Sequence, residues 1–307
     1  MEYFLTVGKQ VLVLFILIGA GFILGKRGIM GERGAKACSD IALLLATPCV
    51  IINSFRRDVT AEMLWGLLAA LGVSVLIHGI GIGVGHLFFR QSTPRDRVLR
   101  LATVLSNAGF MGLPLQQAVL GETGVFYGAT YVAIFNVTLW SYGQLSMNQK
   151  TERVSWTKVL LNPGTIGLVL GIVVLLLPVE LPEVIAAPIS HLAALNTPLP
   201  MLFIGYCLSK VDFKQALRRP IYFGASAVRL LVVPLAVGVV LYLFGIRGTL
   251  FVSMMIAASA PIAAAVPMFA TRYEQDSETA ANLVALSTVF SLATMPILVS
   301  LAQVVAG

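Results

Sequence analysis

Apolar runs of bilayer-crossing length, separated by short polar stretches, take up nearly the whole chain. A spanning helix needs about 20 predominantly apolar residues. On that rule ten segments are expected, at residues 4–25, 38–55, 64–89, 98–120, 124–147, 164–178, 191–208, 220–244, 250–271 and 280–305. Two of the ten carry interruptions. Segment 98–120 contains Ser106-Asn-Ala-Gly-Phe-Met-Gly-Leu-Pro-Leu115, where Pro114 removes a donor and crowds the preceding turn, and Gly109 and Gly112 weaken that turn. Segment 250–271 contains Ser259-Ala-Pro-Ile-Ala-Ala-Ala-Val-Pro-Met-Phe269, interrupted by Pro261 and Pro267. Both helices are predicted to break at mid-depth. Broken backbone is tolerated there only where protein or a water-filled cavity surrounds it, and the freed peptide groups then hold a polar solute or ion. Asn107 adds a neutral side chain that both donates and accepts. One such stretch alone also fits a packed proline kink; two in corresponding positions point to a carrier's binding site.

The 307 residues are 58% hydrophobic and 11% charged, too little polar surface to cover a soluble globule. The net charge of +7 raises nucleic acid as a partner, but the Lys and Arg residues lie between apolar segments and form no basic face. No nucleic-acid partner is expected; the lipid bilayer is. Sixteen of the 21 basic residues fall in the loops after the odd-numbered segments and four on the other side. The positive-inside rule then puts both termini outside and loop 148–162 in the cytoplasm, in a multi-pass protein of the cytoplasmic (inner) membrane. Glu2 ahead of the first run and Lys26-Arg27 behind it argue against a cleaved signal. Cys38, Cys49 and Cys207 lack metal spacing and read as small core residues, so neither a metal nor a cofactor is expected.

A period of about 150 residues recurs. Thr47-Pro48 matches Thr197-Pro198, Asp58 matches Asp212, and Pro114 matches Pro267. Five spans separate the copies, and an odd number turns the second copy upside down. The expected fold is therefore an all-α polytopic membrane protein of ten transmembrane helices in two inverted five-helix repeats, residues 1–147 and 163–307, joined by the linker 148–162.

Ionisable groups at bilayer depth cost roughly 2.5–3.5 kcal/mol on insertion scales, so each needs a reason. Arg229, nine residues into the eighth segment, reads either as an attractor for an anion or as a structural cation paired with carbonyls or a carboxylate. His78 occupies the symmetry-related depth and reads as a proton carrier or a hydrogen-bonded packing residue. Asp40 is a proton relay or half of a surface pair with Lys36. Asn136 in the fifth segment, and Asn282 and Ser287 in the tenth, either line the site or join helices. No His-Glu-x-x-His, Gly-x-Ser-x-Gly or phosphate-loop motif is present, so no enzyme is expected.

Several stretches together resemble the auxin efflux carrier family, which includes plant auxin exporters and bacterial malate or malonate permeases. They are Asn107-Ala-Gly-Phe-Met-Gly-Leu-Pro114 followed by Gly121-Glu-Thr-Gly, Asn162-Pro-Gly-Thr-Ile-Gly-Leu, Thr197-Pro-Leu-Pro-Met-Leu-Phe-Ile-Gly205, and Ala260-Pro-Ile-Ala-Ala-Ala-Val-Pro267 with Tyr273 to Asp276. The resemblance covers nearly the whole chain. It implies an architecture related to the sodium/bile-acid symporters, with helices 1, 2, 6 and 7 as a scaffold that often forms a homodimer. Helices 3–5 and 8–10 would form a transport domain. The broken helices 4 and 9 would cross where a substrate carboxylate meets half-helix N-termini and Asn107, and an elevator movement would alternate access. The long cytosolic loop of many plant members is absent, which fits a compact bacterial member. The ninth segment also lacks the acidic residue with which the bile-acid branch binds sodium.

The expected function is secondary transport of a small organic anion, such as malate, malonate or an auxin-like acid. Its binding residues would be Asn107, Ala108, Gly109, Gly112, Pro114, Pro261, Ile262, Pro267, Asn136 and Arg229, with His78, Asp40, Asn282 and Ser287 as ion- or proton-coupling residues. The alternatives are a proton- or sodium-coupled carrier of a different solute, and a ligand-binding membrane sensor.

Overall fold

The computed structural model describes residues 2–56, 60–91, 93–148, 157, 161–176 and 181–306. Its helices, in chain order, are α1 (Glu2–Lys26), α2 (Glu32–Ile41), α3 (Thr47–Phe55), α4 (Ala61–Phe88), α5 (Pro94–Val104), α6 (Leu113–Thr138), α7 (Gln144–Met147) and α8 (Pro163–Leu176), then α9 (Glu183–Ala194), α10 (Pro198–Ser209), α11 (Phe213–Ala216), α12 (Pro220–Ala227), α13 (Val233–Leu243), α14 (Gly248–Ser259), α15 (Ala265–Arg272) and α16 (Ser277–Ala306). Among the described residues seven helical stretches are long and apolar enough to cross a membrane: Leu5–Lys26, Glu32–Phe55, Glu62–Phe88, Ala108–Met147, Glu183–Ser209, Pro220–Leu243 and Ser277–Ala306. Pro163–Leu176 and Gly248–Ser259 are shorter apolar helices. The outside is as apolar as the sequence requires, with Trp65, Val184, Leu243 and Phe244 each more than 70% exposed. The chain is an all-α polytopic membrane protein.

The fourth and fifth expected segments are partitioned differently from the hydropathy pattern. The fourth starts at Pro94 rather than Val98, because Thr93 caps the helix by accepting from the Asp96 N–H at 3.1 Å and Pro94 needs no donor in the first turn. Its second half runs on into the fifth as one stretch of 40 residues, Ala108–Met147. As a straight rod that stretch would be about 60 Å long, twice the hydrocarbon thickness. It bends at Gly121, whose φ of 63° and ψ of −154° belong to glycine alone. No atom lies within 4 Å of the place a Cβ would take there. Gly121→Ala should therefore cost about 1–3 kcal/mol of stability through backbone strain alone, read as a lower thermal midpoint in detergent. The seventh segment begins at Glu183 rather than His191 and is interrupted at residues 195–197. Asp58, residues 177–180 and most of loop 148–162 lie outside the described residues.

Three prolines are accommodated in the same way. Pro48, Pro114 and Pro234 each stand two residues after a five-residue π-helical turn, at Ala42–Ala46, Ala108–Gly112 and Val228–Val232. A proline ring clashes with the carbonyl four residues earlier and offers that carbonyl no donor. The wider turn relieves both faults, and the helix continues.

Small residues set how closely the helices approach, as expected where packing replaces the hydrophobic effect. α1 crosses α10 at Gly21 and Gly205; a Cβ on Gly205 would lie 2.0 Å from the Ile18 carbonyl oxygen, and one on Gly21 2.3 Å from that of Leu202. α3 meets α8 where a Cβ on Gly167 would lie 2.9 Å from the Pro48 Cα. α2 packs on α10, and α9 on α3, while α6 packs on α4 and α14, and α14 on α16. The three cysteines are free and partly exposed on helix surfaces, not core residues as read from the sequence. Lys9 of α1 is exposed as well.

Candidate functional site

Two chain breaks meet near the middle of the bundle. α5 ends at Leu105, whose φ and ψ of −92° and 110° are extended, and helical structure resumes at Ala108. α14 ends at Ala260, with φ −61° and ψ 149°, and resumes at α15. In the second break Pro261 acts directly, since a proline pushes the residue before it into extended geometry. In the first break the expected agent does not act: Pro114 lies beyond the break, where the π turn absorbs it. The chain opens instead at residues 105–107. Pro267 is likewise the third residue of α15 rather than part of its break.

The breaks satisfy one another. Ser106 and Ile262 form an antiparallel bridge, with the Asn107 N–H donating to the Pro261 carbonyl at 2.7 Å and the Ala263 N–H to the Leu105 carbonyl at 2.9 Å. The Ile262 N–H donates to the Ser287 hydroxyl at 3.2 Å, so α16 holds the crossing from outside. Met111 and Gly112 both donate to the Asn107 carbonyl. The N–H groups of Ala108, Gly109 and Phe110 belong to a first turn that has no carbonyl for them within the helix, and they carry its partial positive charge.

Polar side chains converge on this crossing. Asn107 is 5% exposed, and its Nδ2 is buried with no partner among the described residues. Two residues further along, a Cβ on Gly109 would meet nothing within 4 Å. Gly112 is different: a Cβ there would stand 3.3 Å from that of Ala108. Arg229, 1% exposed, donates from Nη2 to the carbonyls of Ala258 and Ala260 at 2.9 and 3.1 Å and also faces the Tyr131 hydroxyl. Tyr131 shares a hydrogen bond of 2.9 Å with the Ser106 hydroxyl, and its ring lies 4.7 Å from that of His78. The His78 Nδ1 is 2.8 Å from the Ser74 carbonyl, and Nε2 is buried without a partner among the described residues.

Other residues singled out from the sequence lie elsewhere. Asn136 donates to the Val132 carbonyl of its own helix at 2.9 Å and lies against Gly164, where α6 meets α8. Asp40 is exposed on α2, and no ion pair ties it to Lys36. Asn282 is 8% exposed, five residues before Ser287 on α16. Two residues at the crossing escaped sequence reasoning. Tyr131 was one aromatic among many; the usable signal was a phenol in mid-segment, which needs a partner when buried. Gln116, 1% exposed, donates to the Ser253 carbonyl at 2.8 Å and hydroxyl at 3.1 Å, tying α6 to α14.

A cavity flanks the half-helix after each break. One of about 220 Å³ is bounded by Asn53, Pro114, Gln117, Glu122 and Asn196, and one of about 360 Å³ by Phe203, Lys210, Ala264, Pro267 and Ala281. Among the described residues no group of His, Cys, Asp and Glu is placed to hold a metal ion.

The comparisons with known proteins give the class of protein that carries these two broken helices. A family described as membrane transport protein matches residues 6–157 and 147–299. An uncharacterized transporter of Methanocaldococcus jannaschii is 24% identical over 298 residues, 92% of this chain and 94% of the relative. An uncharacterized transporter of Methanothermobacter thermautotrophicus is also 24% identical, over 299 residues, 94% of this chain and 96% of the relative. Two matched stretches that together span nearly the whole sequence place this chain in the membrane transport protein family, that of the auxin efflux carriers, whose members are transporters and not enzymes.

Proposed function

We propose that this transporter carries a small organic anion, whose carboxylate binds at the crossing of the two breaks. The observation that carries the reading is the Asn107 amide, buried at the crossing without a partner among the described residues, at the start of a half-helix whose first-turn N–H groups carry a partial positive charge. An amide donor and a positive helix end suit a carboxylate. Ala108, Pro261 and Ile262 shape the backbone of the site, and Ser287 braces it.

The alternating-access part of the proposal is an elevator movement of helices 3–5 and 8–10 against a scaffold of helices 1, 2, 6 and 7, in two inverted repeats. It draws support from the packing of α1 on α10 and α3 on α8, and from the contact of Thr47, one of the matched points, with the neighbour of its counterpart Thr197: Thr47 donates to Asn196 at 2.8 Å. The cavities beside Pro114 and Pro267 would serve opposite sides of the membrane. An outward orientation of both termini and a homodimer through the scaffold complete the proposal.

The test is ligand-dependent thermal unfolding of the detergent-purified chain with malate, malonate and indole-3-acetate. An acid at a hundred times its Kd should stabilise the protein by about 2.7 kcal/mol, a shift of several degrees. Asn107→Ala should weaken the effective acid about 10- to 100-fold, the worth of a hydrogen bond to a charged group. An unchanged affinity in Asn107→Ala would move the site elsewhere.

A further inference from the structure

The end of α14 is a place where a cation belongs. The last four carbonyls of a helix lack intrahelical partners and together carry about half a negative charge. In carriers built on broken helices, such ends and the unwound carbonyls after them coordinate the coupling cation. Here the seat is filled covalently. Arg229 reaches from the π turn Val228–Val232, which Pro234 follows, and donates to the carbonyl of Ala258 inside the last turn and of Ala260 just beyond it.

Two further facts point the same way. No carboxylate pairs with this guanidinium among the described residues; its neighbours are the two carbonyls and the Tyr131 hydroxyl. A membrane-buried charge with no counter-ion is costly, and a cation-binding helix end is what offsets it. At the other break the α5 carbonyl of Leu101 accepts from Leu105, and the carbonyl of Leu105 from Ala263. In addition, residues 250–271 contain no acidic side chain to help hold a free ion.

We propose that Arg229 is a tethered cation that takes the place of a mobile sodium or potassium ion at the crossing, so that the site is charged permanently and works without a coupling metal cation. This rests on the carrier reading above, but its test is read with no organic anion present. Failure of the one is therefore told apart from failure of the other.

The full-length protein, Arg229→Gly and Arg229→Gln are purified in detergent and unfolded thermally at constant ionic strength in sodium, potassium, lithium or choline chloride. A further series adds guanidinium at a low, non-denaturing concentration. The wild type should unfold at one temperature in sodium and in choline. Both variants should unfold at a lower temperature, and sodium or guanidinium should raise their midpoints by about 2–4 °C over choline. A guanidinium that only packed helices together would leave variants with no such preference. A sodium-over-choline shift in the wild type overturns the proposal, as does a pair of folded variants that respond to no cation. If neither variant is recovered folded, radioactive sodium binding to the wild type decides: saturable binding overturns the proposal and its absence supports it.

Discussion

Gly205→Val should leave little folded protein. A Cβ at Gly205 falls 2.0 Å from the carbonyl oxygen of Ile18, 2.6 Å from the Phe22 nitrogen and 2.8 Å from the Gly21 Cα, all backbone atoms of α1. A flexible side chain can swing aside; a helix backbone has to move as a whole. Overpacking usually costs about 1–3 kcal/mol, and here two helices must separate along their contact, which puts the cost above that range and near the total stability of a typical domain. The measurement is recovery of a monodisperse species after detergent extraction and size-exclusion chromatography. Gly19→Ala, on the facing helix α1, is the control. Nothing lies within 4 Å of its Cβ position, and the change should be neutral or stabilising by up to about 1 kcal/mol.

Gly109 should behave in the opposite way, keeping the fold and losing the ligand. The glycine has ordinary helical geometry with free space beside it, so Gly109→Ala should raise the thermal midpoint slightly, as glycine-to-alanine changes in helices do by about 0.5–1 kcal/mol. Gly109→Leu places a branched side chain in that space, in the first turn of the half-helix that Asn107 opens. If the space is where the carboxylate sits, Gly109→Leu should remove at least about 4 kcal/mol of binding, a thousandfold, because the anion then cannot approach the first-turn N–H groups. Thermal shift against the acid that stabilises the wild type reads both effects at once. A folded Gly109→Leu protein with undiminished affinity would rule out this location.

Much of the frame was legible because hydrocarbon imposes it. Span lengths followed from bilayer thickness, and the break at Pro261 from the geometry that proline forces on the residue before it. The first break was harder to place. Pro114 attracted attention as the breaker, yet the π turn at Ala108–Gly112 absorbs it, and residues 105–107 open because their partners are supplied by Pro261 and Ala263. That is a tertiary fact with no local signature. Segment starts were displaced where hydropathy and helix ends diverge, as with α5, which starts among Arg95, Asp96 and Arg97 because Thr93 caps it. Within the site, Asn107 and Arg229 stood out since polar groups are rare in apolar runs. Asn136 stood out for the same reason and turned out to contact Gly164. Composition marks a polar residue; only the packing of other helices decides what it faces.

The bridge between Ser106 and Ile262 also bears on how the protein is made. At about 5–20 residues per second, synthesis takes roughly 8–30 s to travel from Asn107 to the Pro261 that receives its N–H. Throughout that interval the first break has been made and its partner has not. The nascent chain must keep those peptide groups solvated, or sheltered by the insertion machinery, until the second break arrives. Closing the crossing is thus a late step of assembly, and a ribosome that stops before residue 261 releases a chain whose central hydrogen bonds have no second half.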